Sequence, residues 1–389
     1  MKTDPIVVTG YARTPMGSLQ GVFADLKASD LGAVTVREAA RRAGAPAIDQ
    51  IIMGCVLTAG QGQAPARQAG IGAGLGEQVL ATTINKMCGS GMQAAILAHD
   101  MLAAGSADWV VAGGMESMTN APYLLARHRR GARFGHDSAK DSMLLDGLED
   151  AYETGKPMGA FAEETARSYQ IGRAAQDEYA LRSLERARAA QASGAFDAEI
   201  MPVLAGKETI RIDEQPGRAK PEKIPSLKPA FAADGTITAA SAASISDGAA
   251  ALVLTRERLA NDKGVAPVAR IVGHAAHAHA PALFTTAPVF AIRKLLDRVG
   301  WRTTDVDLFE VNEAFAVVAL IAMRELDIAA DRINVHGGAC ALGHPIGASG
   351  ARILATLIAA LERQGLKRGV ASLCIGGGEA LAMAVEIPG

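Results

Sequence analysis

The sequence predicts an α/β protein that is built from two related halves. Buried-strand patterns at residues 51–57 and 108–116 flank the helical run that begins after Cys88. Strand, helix and strand in this order imply a layer of parallel strands covered by helices. A Ser-Gly pair that opens a helix and an apolar strand that ends in glycines both recur about 260 residues later, at Ser349 and Gly376, which indicates an internal duplication. The alternative is that such junctions recur by chance in α/β proteins.

The length and charge of the chain limit its organisation and its partners. At 389 residues it exceeds what one core usually supports, so we expect two or more packed units. The net charge of −2 gives no electrostatic reason to expect nucleic acid or an anionic membrane as a partner. No apolar stretch approaches the roughly 20 residues of a membrane span, and the first ten residues lack the apolar region of a signal peptide. We therefore expect a cytoplasmic protein.

The elements follow one another in a regular order on both sides of a distinct middle segment. Residues 6–8 form a short strand pattern, and Asp30 then caps a helix that stops at Gly44. The middle segment, about 118–245, is first charged, then helical from 161 to 192 apart from Gly172, and then rich in prolines that exclude regular helix. We interpret it as an inserted loop domain. The predicted boundaries are 1–262 for the N-terminal half, which contains the insertion, and 263–389 for the C-terminal half.

The four cysteines are widely separated, with no Cys-x-x-Cys pair, which disfavours a zinc ribbon or a disulfide framework and favours reduced thiols. Cys88 precedes Gly-Ser-Gly and a helix-forming run, so its sulfur should lie at the positive end of a helix dipole. That position lowers a cysteine pKa from about 8.5 into the range of roughly 3.5–7.5. We therefore expect a thiolate at Cys88 near neutral pH. The alternative is a buried, inert cysteine followed by helix-capping glycines.

Three further stretches have compositions that packing alone does not require. Asn312 and Glu313 end an apolar strand, His344 lies in a glycine-rich loop before a proline, and Cys374 ends a strand beside three glycines. These residue types suit acyl transfer through a thioester, because one thiolate becomes acylated, histidine takes its proton, and a second base remains for carbon-acid chemistry. Glycine N–H groups would hold an oxyanion. Taken singly, each of these residues has a purely structural explanation.

A histidine cluster at His274, His277 and His279 is the one pattern with metal-ligand character. His277 and His279 should share one face of a strand. The stretch lacks a carboxylate or cysteine partner nearby in the sequence. We therefore predict no metal site.

Five motifs, in the same order over essentially the whole chain, resemble the signatures of the thiolase family. They are Asn85-Lys-Met-Cys-Gly-Ser-Gly-Met, Gly113-Gly-Met-Glu-Ser-Met, Asn312-Glu-Ala-Phe, Ala341-Leu-Gly-His-Pro-Ile-Gly-Ala-Ser-Gly-Ala-Arg and Cys374-Ile-Gly-Gly-Gly. The resemblance implies a duplicated five-layered α-β-α-β-α fold with an inserted loop domain. It also implies acyl-CoA substrates, coenzyme A as substrate or product, and a homotetramer made of two tight dimers.

The resemblance assigns roles to five residues. Cys88 is the nucleophile that holds the acyl group, and His344 activates it. Cys374 is the acid/base that removes the α-proton of a second acetyl-CoA or protonates the leaving enolate. The backbone N–H groups of Cys88 and Gly376 hold the acyl-enzyme oxyanion. Asn312, through a water molecule, joins His344 at the other thioester carbonyl.

The implied reaction is the Claisen condensation of two acetyl-CoA to acetoacetyl-CoA and coenzyme A, with thiolysis as the reverse. A 3-ketoacyl-CoA thiolase of broader chain length is the alternative. A condensing enzyme that uses a carrier protein should have a histidine in place of Cys374, and the intact cysteines and histidine disfavour a silent acyl-CoA-binding protein. No metal, flavin or nicotinamide is required, because the thioester itself activates the α-carbon.

The resemblance also implies contacts to the substrate. Several positions depart from the family pattern, and two of them concern the substrate contacts directly: Ala243 stands where a serine is expected to meet the pantetheine, with Ser244 shifted by one, and Phe284 replaces a pocket methionine. The other departures are Pro157, Glu379-Ala380 and the stretch from His336 to Cys340. The departures concern the acyl-chain preference and the affinity for coenzyme A rather than the reaction class. The full set of predicted contacts is Met158, Arg218, Phe231, Ala243, Ser244, Phe284 and Phe315.

Overall fold

The computed structural model describes residues 4–389. Its strands are β1 Ile6–Arg13, β2 Gly17–Ser18, β3 Gln50–Gly54, β4 Leu80–Ile84, β5 Trp109–Ser117, β6 Tyr123–Leu124, β7 Lys140–Asp141, β8 Val203–Ala205, β9 Glu208–Ile210, β10 Ser246–Arg256, β11 Ala269–Ala278, β12 Leu308–Val311, β13 Arg368–Ile375 and β14 Glu379–Glu386. Its α-helices are α1 Ala28–Arg42, α2 Pro65–Gly72, α3 Ser90–Ala103, α4 Met158–Ser168, α5 Arg173–Ala192, α6 Glu214–Arg218, α7 Glu257–Asp262, α8 Ala287–Val299, α9 Ala316–Leu326, α10 Ala339–Leu342 and α11 Ser349–Gln364.

The large sheet repeats one strand arrangement in both halves of the chain. Its order is β12-β13-β14-β11-β1-β10-β5-β3-β4. In the N-terminal half, β4, β3 and β5 are parallel, and β10 and β1 follow antiparallel. In the C-terminal half, β12 and β13 are parallel, and β14 and β11 follow antiparallel. A parallel bridge from Phe309 to Ile333 supplies the counterpart of β4, so the predicted duplication is confirmed.

Helices cover both faces of each half-sheet, which gives five layers. The central layer contains α3 and α11, with Met92 and Leu354 buried between the two half-sheets. On one outer face Leu31 of α1 packs on the N-terminal strands. On the other, Ile292 of α8 and Ile321 of α9 pack on the C-terminal strands. The predicted α-β-α-β-α layering is therefore confirmed.

Strand β5 is apolar throughout because both of its faces are buried. Val110 and Ala112 belong to the central core, whereas Trp109 and Val111 belong to the core under α1 and α2. Alternate side chains of a strand point to opposite faces, so a sheet covered on both faces needs apolar residues at every position.

The recurring Ser-Gly pairs mark the point where the two central helices touch. A Cβ atom on Gly91 would lie 2.7 Å from the backbone nitrogen of Ala351, and one on Gly350 would lie 2.3 Å from that of Met92. Only glycine permits this approach at both positions. As a result, α3 and α11 begin side by side, and the loops that precede them meet.

The segment between β5 and β10 lies outside the large sheet, although α4 and α5 add Phe161 and Tyr179 to the core of the C-terminal half. It contains α4, α5 and α6 and the two-stranded pairs β6-β7 and β8-β9, none of which joins the large sheet. The helical stretch predicted for 161–192 is divided into α4 and α5 around Gly172. Over residues 4–389, no helix has both the length and the apolar character that crossing a membrane requires.

Candidate active site

Four of the five residues predicted to be catalytic line one cavity of about 80 Å³ between the two halves, and the fifth, Asn312, lies behind His344. Cys88 comes from the loop before α3, His344 from the loop before α11, and Cys374 and Gly376 from the end of β13. Both chain halves therefore contribute reacting groups to the same space. The remaining lining residues are Met87, Gly147, Leu148, Met158, Ala243, Phe284, Ala314, Phe315 and Ile346.

A tight turn before α3 presents the Cys88 thiol. Met87 has a φ of 48°, in the left-handed region that non-glycine residues rarely adopt. Ser90 secures this turn, because its hydroxyl donates to the carbonyl of Met87 at 2.7 Å and accepts from the N–H of Lys86 at 2.8 Å. The strained conformation places a reactive side chain at the start of the helix, as at other functional sites.

The pKa of Cys88 corrects the expectation that its position before a helix yields a thiolate. Burial raises the pKa of the Cys88 thiol to about 11, and the carboxylate of Glu116 adds to the rise. Hydrogen bonds from the backbone N–H groups of Gly376 and of Cys88 itself lower it only in part. Loss of solvation therefore outweighs the two hydrogen bonds that favour the thiolate. The resting group is a thiol, and two N–H groups face its sulfur.

His344 presents an unpaired nitrogen to this cavity. Its Nδ1 lies 2.6 Å from the hydroxyl of Ser349 and 3.4 Å from Nδ2 of Asn312. Its Nε2 is buried without a hydrogen-bond partner. Burial lowers the pKa of His344 to about 3, and the guanidinium of Arg352 lowers it further. The ring is therefore neutral at pH 7.

A buried ion pair fixes the amide of Asn312. Arg352 donates to Glu310 at 2.8 Å and to Oδ1 of Asn312 at 3.2 Å. Since Oδ1 faces the guanidinium, the amide nitrogen is left to face His344. Removing one partner of such a buried pair is strongly destabilising, so this network holds the ring and the amide in one relative orientation.

Cys374 lies at the end of β13 and is buried. Burial raises the pKa of its thiol well above the ordinary range, and the nearby thiol of Cys88 adds to the rise. The second thiol therefore stays protonated until a reacting group approaches. A buried thiol of this kind is a weak acid and, once deprotonated, a strong base.

Glu116 ties the loop of His344 to the N-terminal half. Its carboxylate accepts hydrogen bonds from the N–H groups of Val56 at 3.0 Å, Leu57 at 3.1 Å and Gly347 at 2.8 Å. Burial raises its pKa to about 7, and these three N–H groups offset part of that rise. The carboxylate therefore links the loop after β3 to the loop before α11.

Comparison with known proteins places the chain in a family. A model described as thiolase, N-terminal domain, matches residues 6–258, and one described as thiolase, C-terminal domain, matches residues 265–387. The chain belongs to the thiolase family. It is 47% identical over 391 residues to acetyl-CoA acetyltransferase 2 of Arabidopsis thaliana, covering 98% of this chain and 97% of that protein. A probable acetyl-CoA acetyltransferase of Escherichia coli is 45% identical over 388 residues, covering 98% of each chain.

Two solved structures have the same fold. The Acat5 thiolase from Ascaris suum, in complex with coenzyme A, superposes with a TM-score of 0.94 at 40% identity over 99% of this chain and 100% of that chain. The acetyl-CoA acetyltransferase of Bacillus anthracis superposes with a TM-score of 0.95 at 39% identity over 99% of both chains.

In this thiolase, four of the predicted substrate contacts lie in the catalytic cavity: Met158, Ala243, Phe284 and Phe315. Phe231 does not line the cavity, but its ring packs against that of Phe315, with the ring centroids 5.8 Å apart and an interplanar angle of 80°. The aromatic rings therefore form one wall of the cavity.

The two other predicted contacts lie elsewhere. Ser244 lines a neighbouring cavity of about 260 Å³ together with Lys220 and Lys223. Arg218 ends α6, where it donates to Glu214 at 2.8 Å, and it lines neither cavity. Replacing the expected serine by Ala243 thus removes a hydroxyl from the wall of the catalytic cavity, and Ser244 does not restore it there.

The positioning residues Ser349, Arg352 and Glu116 have no predicted role in the sequence analysis, although all three lie within the quoted motifs. A hydroxyl five residues after His344, at the start of a helix, is a signal that it could reach the ring. Glu116 and Arg352 gave no such signal, because their partners Gly347 and Glu310 are distant in sequence.

Proposed function

We propose that this thiolase is an acetyl-CoA C-acetyltransferase, an acyltransferase that condenses two acetyl-CoA to acetoacetyl-CoA and coenzyme A and catalyses the reverse thiolysis. The observation that carries the proposal is the meeting of Cys88, His344 and Cys374 in one small cavity, with two backbone N–H groups facing the Cys88 sulfur. Whole-length relatives that bear the name acetyl-CoA acetyltransferase support it.

In the first half-reaction, Cys88 attacks the thioester carbonyl and His344 takes the thiol proton. The neutral, unpaired Nε2 of His344 is suited to this, since a base must have a free lone pair. The N–H groups of Cys88 and Gly376 would stabilise the oxyanion as coenzyme A leaves with the proton. One such donor is typically worth about 2.7–4 kcal/mol in the transition state.

In the second half-reaction, Cys374 removes the α-proton of a second acetyl-CoA, and the resulting carbanion attacks the acetyl group on Cys88. The bond between the acetyl carbon and the Cys88 sulfur then breaks, and the departing Cys88 thiolate receives the proton that Cys374 had taken. Asn312, through a water molecule, would stabilise the enolate oxygen. His344 would join it in the tautomer that carries a proton on Nε2, which the hydroxyl of Ser349 permits because it can donate to Nδ1. The raised pKa of Cys374 supports this role, because a strong base is needed to deprotonate a carbon acid. No metal, flavin or nicotinamide is required, because the thioester activates the α-carbon.

The size of the cavity supports a short acyl chain. On the measure by which a cavity needs roughly 10–15 Å³ to hold one water molecule, the cavity of about 80 Å³ has room for only a few, which suits a small group such as acetyl. Buried Phe284 and Phe315, with ring centroids 6.3 Å apart, limit its extension. A broader 3-ketoacyl-CoA thiolase would require these rings to move.

Coenzyme A itself would extend toward the inserted segment. Lys220 and Lys223 line the neighbouring cavity with Ser244, and ammonium groups are suited to phosphate. Arg218 lies on the same segment, and its side chain is 60% exposed. It therefore adds a further cation at the surface of this segment. We propose that these three cations face the phosphates of coenzyme A.

We further propose a homotetramer made of two dimers, a cytoplasmic location and a place in fatty acid metabolism. Strand β4 supports self-association, since it ends the sheet and carries Leu80 with 66% of its surface exposed. Such an edge readily pairs with a second strand. The four free cysteines agree with a reducing compartment. Sedimentation velocity would test the tetramer.

The deciding experiment follows coenzyme A-dependent cleavage of acetoacetyl-CoA and of longer 3-ketoacyl-CoA substrates. We expect fast cleavage of the four-carbon substrate by the wild type and its loss in Cys88→Ala and Cys374→Ala. Cys340→Ala is the comparison variant: its thiol lines the neighbouring cavity and not the catalytic one, so we expect kcat to be kept, and any change to be confined to the KM for coenzyme A. Preference for long chains would reassign the substrate, and no cleavage would indicate a silent acyl-CoA-binding protein.

A further inference from the structure

Three potential metal ligands from the two halves meet outside the catalytic cavity. They are His99 and Asp100 of α3 and His274 of β11. Oδ1 of Asp100 lies 2.9 Å from Nδ1 of His99 and 3.0 Å from Nε2 of His274. All three ligand atoms lie within 4.8 Å of one another. The sequence around His274 offers no carboxylate, but the fold brings one from a helix that is distant in sequence.

We propose that His99, Asp100 and His274 bind a divalent transition metal ion of the Zn²⁺ type, with water in a fourth position. Two imidazoles and one carboxylate are a common ligand set for such ions. Metal–ligand bonds of about 2.0–2.2 Å in tetrahedral geometry place neighbouring ligand atoms about 3.4 Å apart. The present N···O separations of 2.9 and 3.0 Å need to widen only slightly.

The burial of the three side chains suits an ion that enters from solvent. The histidine side chains are 21% and 18% exposed, so the surrounding protein restricts their rings, whereas that of Asp100 is 56% exposed. The rings of His99 and His274 are 5.0 Å apart and nearly perpendicular, at 82°. Arg298 is a positive charge near the site that opposes the binding of a cation. Its guanidinium donates to the backbone carbonyl of His274 at 2.5 Å.

A bound ion would connect the N-terminal half to the C-terminal half, because α3 and β11 belong to different halves. An ion that binds only the folded chain stabilises it in proportion to the logarithm of its concentration over the dissociation constant. The expected function of the site is therefore structural. It would secure the helix that begins two residues after Cys88 to the sheet of the other half.

The chain contains a matched control for this site. His277 and His279 lie 5.0 Å apart at 85° at the end of the same strand, but His277 stacks on Phe290 instead of meeting a carboxylate. The pair thus has two imidazoles at a similar separation without the third ligand. The variant His279→Ala should leave the proposed site intact.

The test measures Zn²⁺ stoichiometry by equilibrium dialysis, the melting temperature with and without Zn²⁺, and the visible spectrum with Co²⁺, on the full-length protein. For the wild type and for His279→Ala we expect one bound equivalent of Zn²⁺ and a melting temperature that Zn²⁺ raises. For Asp100→Asn and His274→Gln we expect neither the bound equivalent nor the rise in melting temperature. Equal stoichiometry in all variants would overturn the proposal. A sulfur-to-cobalt charge-transfer band would also overturn it, because it would place the ion at a thiol such as Cys88.

Discussion

Lys86 forms an ion pair with Glu379 across the boundary between the two halves. Lys86 lies two residues before Cys88, and Glu379 lies three residues after Gly376. The pair therefore connects the two turns that supply the N–H groups facing the Cys88 sulfur. The side chains are 27% and 37% exposed, so the pair contributes little to global stability.

Breaking this pair should impair turnover more than stability. For Glu379→Gln we expect kcat of thiolysis to fall about tenfold, since small displacements of oxyanion donors are costly. KM and the melting temperature should change little. The exchanged double variant Lys86→Glu with Glu379→Lys should recover most of the loss. If Glu379→Gln keeps the wild-type kcat, the pair does not position the donors.

Alkylation by iodoacetamide should reveal the protonation of Cys88. Because only the thiolate reacts and burial raises the pKa of Cys88 to about 11, the rate should rise about tenfold per pH unit up to pH 9 without a plateau. Cys88→Ala identifies the reacting thiol in the mass spectrum. A plateau below pH 8 would mean that the helix dipole outweighs burial after all.

Acid should destabilise the protein partly through His344. Its pKa is lowered to about 3 in the folded state, from about 6.5 when unfolded. Between these values the unfolded chain binds a proton that the folded chain does not. Stability is therefore lost as the pH falls from 6.5 toward 3, by about 1.4 kcal/mol per pH unit from this group.

Urea unfolding at several pH values would measure this contribution. We expect a shallower pH dependence of the free energy of unfolding in His344→Asn than in the wild type. His128→Asn is the control, since that histidine is exposed on the surface. Parallel curves for wild type and His344→Asn would contradict a neutral, buried ring.

Glu116→Gln should destabilise the fold and slow catalysis together. An amide offers one acceptor oxygen in place of two, so at least one of the N–H groups of Val56, Leu57 and Gly347 would face an NH₂ group. A buried group without its partner costs about 1–3 kcal/mol. Urea unfolding would measure this loss, and kcat should fall because Gly347 belongs to the loop that carries His344. Unchanged stability would show that the loop has other support.

Phe284→Met should extend the range of acyl chains. Removing the ring enlarges the cavity on the side of Phe315, and one methylene in an apolar pocket is worth about 10–200-fold in specificity. We expect kcat/KM for a six-carbon 3-ketoacyl-CoA to rise about tenfold relative to acetoacetyl-CoA. Phe290→Met is the control, since Phe290 stacks on His277 outside the cavity. An unchanged ratio would assign chain length to another residue.

The arrangement of the fold and the central part of the site could be predicted from the sequence. The recurring Ser-Gly pairs predicted the duplication, because close contact of two helices requires glycine at both Gly91 and Gly350. Cys88, His344, Cys374 and Gly376 lie in specific local motifs, and the structure brings all four to one cavity. The boundary between 262 and 263 stays a prediction; it falls at the end of α7.

What could not be predicted depends on groups that are distant in sequence. The pKa of Cys88 follows from burial in a cavity that residues of both halves line, whereas the local pattern indicates only the helix dipole. The meeting of His274 with Asp100 depends on how α3 packs against β11. Likewise, only the packed structure shows that Ala243 and Ser244 line different cavities.

The shared central layer has a consequence for how the chain is made. Helix α3 buries Met92, Ala95 and Leu102 in a core that also needs α11, and α11 is synthesised about 260 residues later. At about 5–20 residues per second, the ribosome takes on the order of tens of seconds to cover that distance. During this interval the apolar face of α3 lacks its final neighbour, so the nascent N-terminal half is the stage at which the protein most needs protection from aggregation.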